Sequence, residues 1–262
     1  MTHLKAVLAA LTIILGLTLL GSIEPAQATQ FGASKPADLP YRVDAHRVYL
    51  QAPTDWDKVT QPSVVSFKLP PRAVNSGRYD GMLYSWFRSA PNYRIWYVYW
   101  HEPENDFTTN VQQRAYRNAW RHIVTIERST GRNKLSSATL FMSFDFRPSV
   151  NRNPADWYPG NKFIDVIGFD GFNWWYYREY RTPGEIYGPG YRWARAHNKP
   201  YACGEWGSAV INNNVRARAR WIKQTGHWFA DRNAAFASYW NSELFALNDR
   251  PSKLAYKQVV GL

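Results

Sequence analysis

Two acidic side chains sit in surroundings unlike those of an ordinary surface carboxylate. Glu102 lies in Trp100-His101-Glu102-Pro103-Glu104, and Glu205 lies in Gly204-Glu205-Trp206-Gly207. Each follows a short run of β-branched and aromatic residues. A pair of carboxyl groups can cleave a glycosidic bond: one protonates the leaving oxygen and the other attacks the anomeric carbon, with a separation of about 5–5.5 Å giving retention through a covalent intermediate. The acid needs surroundings that hold its proton, and Trp100, Trp206 and Trp240 could form that apolar wall. The nucleophile must stay ionised, and Arg47 is the candidate cation. A single Glu at a strand end is more often a surface or ion-paired residue. Only the pair points to chemistry.

The elements that must position this pair alternate along the chain. Candidate strands are 30–34, 47–51, 63–69, 94–100, 138–144, 163–169, 200–206 and 234–240. Helical spacing is clearest over 79–89, 110–130, 214–230 and 252–260, with Asn110 as the expected N-cap of the second and Gly131 as its stop. Repeated βα units imply a parallel sheet. Eight of them predict an α/β fold of one domain, a (β/α)8 TIM barrel with short loops. A doubly wound open sheet is the competitor, but no Gly-rich phosphate turn follows the first strand. Barrel enzymes carry their chemistry at the C-terminal ends of the strands. Glu102 then ends strand four and Glu205 strand seven. Their separation of 103 residues matches three βα units of about 34 residues each.

Residues 1–28 read as a cleaved signal peptide: Lys5, an apolar run over 6–21, then Ala26-Gln27-Ala28 as the cleavage site. This predicts a secreted protein of residues 29–262, free of the membrane after cleavage. The net charge of +12 would suit anionic partners, but the arginines are scattered and no nucleic-acid-binding motif occurs. The one cluster, 216-RARAR-220, falls in an amphipathic helix and reads as a solvated face. Cys203 is the only cysteine, so no internal disulfide is expected, and no His/Cys spacing suggests a metal. Thirteen Trp residues supply flat faces on which sugar rings stack.

The segments 97-YVYWHEPEND-106, 157-WYPGNKFIDVIGFDGFN-173 and 201-YACGEWG-207 resemble the clan A glycoside hydrolases, specifically family 26, which includes β-mannanases and β-1,3-xylanases. In that family the acid/base Glu follows a His, as Glu102 follows His101, and the nucleophile follows a Gly or Ser, as Glu205 follows Gly204. The resemblance runs in order through nearly all of residues 29–262. It implies Glu102 as acid/base, Glu205 as nucleophile, Trp240 as a sugar floor, and no cofactor. Trp100, His101, Asn173, Trp174 (or its neighbour Trp175), Trp206 and Arg47 complete the expected substrate-binding set. Two departures stand out. The strand-six Tyr that bonds the nucleophile in the clan is Phe172 here, leaving Tyr176 or Tyr177 as substitutes. The Trp-rich segment that follows the acid/base residue in the mannanases reads Pro103-Glu104-Asn105-Asp106. Glu104 is the fallback acid, and Glu243 is read as structural.

The expectation is a monomeric, secreted, retaining endo-hydrolase of a β-linked polysaccharide such as mannan or xylan. The alternative is a non-catalytic glycan- or cell-wall-binding barrel. A third reading is a basic wall-associated protein acting on anionic polymers.

Overall fold

The computed structural model describes residues 28–146 and 148–262. The leader read over residues 1–28 lies, apart from Ala28, outside the described residues. Eight strands close into an all-parallel barrel: β1 (Gln30–Ala33), β2 (Ala45–Leu50), β3 (Ser63–Phe67), β4 (Ile95–Tyr99), β5 (Leu135–Met142), β6 (Val166–Asn173), β7 (Tyr201–Ser208) and β8 (Phe236–Tyr239). The chain is a single-domain (β/α)8 barrel. Pairing of β1 with β8, Gly32 opposite Ser238, completes the circle. A Cβ on Gly32 would meet the Ala45 carbonyl at 2.7 Å, so only glycine allows that approach.

Among the described residues, six α-helices surround the strands: α1 (Pro71–Asn75), α2 (Asp80–Arg88), α3 (Asn110–Ser129), α4 (Pro183–Ala196), α5 (Val215–Ala230) and α6 (Arg250–Val260). Among the described residues, the β1–β2, β2–β3 and β5–β6 connections carry short 3-10 turns or loop instead of an α-helix. Such economy lets a short chain close a full barrel. The N-cap of α3 is Thr109, not Asn110: its hydroxyl accepts from the Gln112 amide while the Gln112 side chain accepts from the Thr109 amide. That reciprocal pair satisfies two otherwise orphaned donors, which Asn110, already helical, cannot do. Gly131 follows α3 with φ 67°, as a helix stop requires.

Strand alternation builds two apolar layers. Ala45, Val64, Trp96, Val98, Ala138, Leu140, Val166, Ala202 and Phe236 fill the barrel interior. Their neighbours in sequence, among them Val65, Tyr97, Ile167 and Cys203, face the helices. Cys203 is buried and unpaired. Among the described residues, no helix is long and apolar enough to cross a membrane.

Candidate active site

The mouth of the barrel gathers its polar residues from four strands. On β2, Ala45 points inward, so Arg47 and Tyr49 follow it on the same face. At the end of β4 the chain turns sharply through two left-handed residues, Trp100 at φ 60° and Glu102 at φ 51°. Neither is glycine, and such conformations cluster where a side chain must be aimed. The Glu102 amide donates to the Leu140 carbonyl at 2.8 Å, pinning the turn across β5.

On β7 the alternation breaks. Between Cys203 and Trp206 the register shifts against both β6 and β8, with one extra residue in β7. Strict alternation would carry Trp206 inward with Ala202 and send Glu205 outward. The bulge reverses both: Glu205 enters the mouth, and Trp206 turns into the helix layer against Tyr239, Phe229 and Tyr256. Gly204 makes this possible, since a Cβ there would lie 2.3 Å from the Leu140 side chain and 2.9 Å from Asp170 Oδ1.

Carboxylate oxygens of Glu102, Asp170 and Glu205 all lie within 4.8 Å of one another. Glu205 is 7% exposed and every side-chain bond the structure gives it falls on Oε1. Arg47 Nη2 donates to that oxygen at 3.1 Å and the Tyr49 hydroxyl at 2.7 Å, while the Glu205 amide donates to Asp170 Oδ1 at 2.8 Å. The Arg47 guanidinium lies 4.1 Å from the Tyr49 ring centre, so cation and hydroxyl hold each other in place. Glu102 is half-buried, its Oε2 accepting from Asn105 Nδ2 at 3.1 Å. A three-carboxylate cluster could also hold a cation, but Arg47 already supplies a positive charge to it.

Burial, with Glu205 and Glu102 nearby, drives the Asp170 carboxyl well above the usual carboxylate range, and Arg47 only partly opposes this. His101 is pushed down to about 3 by burial and by the charges of Arg47 and Lys68. It is therefore a neutral imidazole, packed edge-on to Tyr49 at 5.5 Å, with Nδ1 sealed from solvent and unbonded among the described residues.

The structure brings Arg47, His101, Glu102, Glu205 and Trp240 to one mouth, with Trp240 edge-on to Tyr49 at 5.7 Å. Trp100 stands at the rim, its indole NH donating to Asp106 Oδ2 at 2.6 Å and its ring partly covered by Lys68. Trp174 is half-buried beside Phe172, Phe245 and Tyr176, while the adjacent Trp175 is 58% exposed. Two expected substrate contacts are corrected. Trp206 is fully buried between barrel and helices. Asn173 is also fully buried, donating to Ser208 Oγ and accepting from the Arg181 amide, which fixes the loop after β6. Glu104 is no fallback acid: it is completely buried and accepts from the Met142 amide at the end of β5.

The missing strand-six hydroxyl is replaced from an unforeseen direction. Phe172 packs in an aromatic cluster on Phe245, and neither Tyr176 nor Tyr177 bonds Glu205. Tyr49, from β2, does so. Its signal was its place two residues beyond Arg47, on the same strand face. Asp170 belongs to the strand-six segment that carries the resemblance, but the sequence reading assigns it no role.

No family profile matches this chain, and no curated protein does. Solved structures do. The GH26 domain of an endo-beta-mannanase/endo-beta-glucanase from Prevotella bryantii superposes with a TM-score of 0.63 at 11% identity, over 90% of this chain and 89% of that one. A GH26 beta-mannanase from Bacteroides ovatus gives 0.58 at 13% identity, over 88% of each chain. A GH128 endo-beta-1,3-glucanase from Amycolatopsis mediterranei, in complex with laminaritriose, gives 0.56 at 11% identity, over 88% of this chain and 99% of that one. The chain shares the (β/α)8 barrel fold of these proteins. At these identities the likeness is one of architecture, and function must be argued from the mouth itself.

Proposed function

We propose that this chain is a retaining endo-β-glycanase in which Glu102 is the general acid and then base, and Glu205 is the nucleophile. The observation that carries the reading is the carboxylate pair at the ends of β4 and β7, with oxygens within 4.8 Å. Oxygens this near one another accord with the separation of about 5–5.5 Å at which retaining enzymes hold their pair, and suit direct attack. Arg47 and Tyr49 hold Oε1 of Glu205, which leaves Oε2 to attack the anomeric carbon. As that bond forms, the glycosidic bond breaks and the proton on Glu102 passes to the leaving oxygen. Water, deprotonated by Glu102, then attacks the same carbon and frees Glu205. Neutral His101 lies beside Glu102 without adding charge to the site.

The superposed structures include mannan- and β-1,3-glucan-cleaving enzymes, so the substrate is sought among β-mannans, β-1,3-glucans and xylans. Export follows from the leader over residues 1–28, and the partner is the polysaccharide, met by a monomer. The test is a panel of these glycans with the wild type, Glu102→Ala and Glu205→Ala. The wild type should release reducing ends from at least one glycan, and both variants should lose that release while still sedimenting with the polymer. A wild type that binds a glycan yet releases nothing from any of them would make this a binding barrel.

A further inference from the structure

Asp170 has no part in the two-carboxylate chemistry just described, yet it sits against both members of the pair. It is completely buried on β6, opposite Met142 of β5. Its two oxygens have different surroundings. Oδ1 accepts from the Glu205 amide at 2.8 Å. Oδ2 is sealed from solvent and has no hydrogen-bond partner among the described residues. An ionised oxygen in that position would be an unpaired buried charge, one of the costliest features a protein interior can hold. The charge balance points the same way. Carboxylate oxygens of Asp170, Glu102 and Glu205 lie within 4.8 Å of one another, and Arg47 is bonded to Glu205, not to Asp170.

The titratable and charged groups facing Asp170 are few. Glu205, Cys203 and Tyr201 come from β7, Glu102 from the turn after β4, Arg47 and Tyr49 from β2, and Tyr187 from α4. Among the described residues, Arg47 is the only cation of these. A proton on Oδ2 resolves the geometry. It turns an orphaned acceptor into a neutral donor group, and it removes one negative charge from a cluster whose carboxylate oxygens lie within 4.8 Å of one another.

Resting on the proposed hydrolysis, we propose that Asp170 is a positioning residue that stays a neutral carboxylic acid, its Oδ1 fixing the Glu205 main chain and its buried, unpartnered Oδ2 carrying the proton. Its proton is not transferred. Asp170 holds the β7 bulge in place from behind and keeps the charge of the mouth at that of the working pair. Gly204 is part of the same device, because any side chain there would strike Oδ1.

Asp170→Asn is the natural test, since an amide reproduces the neutral acid's acceptor and donor. It should melt at or above the wild-type temperature, keep kcat/KM within about threefold, and leave the alkaline limb of the pH–rate profile within about half a unit. Asp170→Ala removes the carboxyl altogether and should cut kcat by about 100-fold with KM unchanged. If Asp170 were instead ionised, Asp170→Asn would remove a negative charge beside the acid and move the alkaline limb down by about a unit or more. That result would overturn the assignment.

A second measurement needs neither substrate nor a folded variant. Infrared spectroscopy of the wild type carrying 13C-labelled aspartate should show a protonated-acid carbonyl band persisting to about pH 8. Carboxylate bands alone would refute the neutral acid. A chain that cleaves no glycan yet shows the acid band would retire the hydrolysis and keep the protonation state. An active chain without the band would do the reverse.

Discussion

Tyr49→Phe isolates a single oxygen. The ring would keep its stacking under the Arg47 guanidinium and its edge contacts with His101 and Trp240. Only the 2.7 Å hydrogen bond to Glu205 Oε1 would go. A hydrogen bond to a charged group contributes about 1.5–3 kcal/mol. Arg47 still holds the same oxygen, so Glu205 stays in place on one contact instead of two. If the full contribution is felt in the transition state, kcat should fall about 10- to 150-fold. The assay is steady-state kinetics on whichever β-glycan the wild type cleaves, with thermal melts to show that the fold is intact. KM should hardly move, because the hydroxyl is bonded to Glu205 and not aimed at the sugar. A variant within about twofold of wild type, or one whose whole loss lies in KM, would refute the idea that Tyr49 replaces the absent strand-six hydroxyl.

Two further predictions separate structure from function. Trp206→Ala should cost about 3–5 kcal/mol of stability, read by chemical denaturation, because it empties a core position. Trp240→Ala, at a half-buried mouth position, should leave stability within about 1 kcal/mol and weaken glycan binding about tenfold in affinity electrophoresis. If the two effects were exchanged, the assignment of Trp206 to the core would fail. Glu127 on α3 is pushed up to about 7 by burial, against a hydrogen bond from the Tyr97 hydroxyl. A carboxyl raised in the fold favours the native state at acid pH and loses that contribution as pH rises through about 7. Glu127→Gln should therefore gain about 2–3 kcal/mol over wild type at about pH 8, and the gap should close near pH 4.5. A gap independent of pH would count against it.

Much of this architecture was written in local patterns. All eight strands appeared as short β-branched and aromatic runs, since each must fill a layer on one or both faces of the barrel. Helix α4 was harder to see, because Pro183, Gly184, Gly188, Pro189 and Gly190 interrupt its helical propensity. The tertiary structure explains part of that composition: a Cβ on Gly190 would strike the Phe169 ring at 2.7 Å, so a small residue is imposed by packing. Arg47 was legible as the cation for Glu205 because a nucleophilic carboxylate needs one. Tyr49 was not, because the resemblance places the bonding hydroxyl on strand six, where this chain has Phe172. Trp206 was misjudged for a different reason. A bulge adds one residue without marking the sequence, and it alone decides which of Glu205 and Trp206 enters the mouth.

The most direct test of the central claim is covalent trapping. The protein is incubated with activated 2-deoxy-2-fluoro glycosides, among them that of any sugar it is found to release, then digested and analysed by mass spectrometry. The peptide containing Glu205 should carry one fluoroglycosyl group. An adduct on any other carboxylate, or hydrolysis with inversion and no adduct at all, would contradict it.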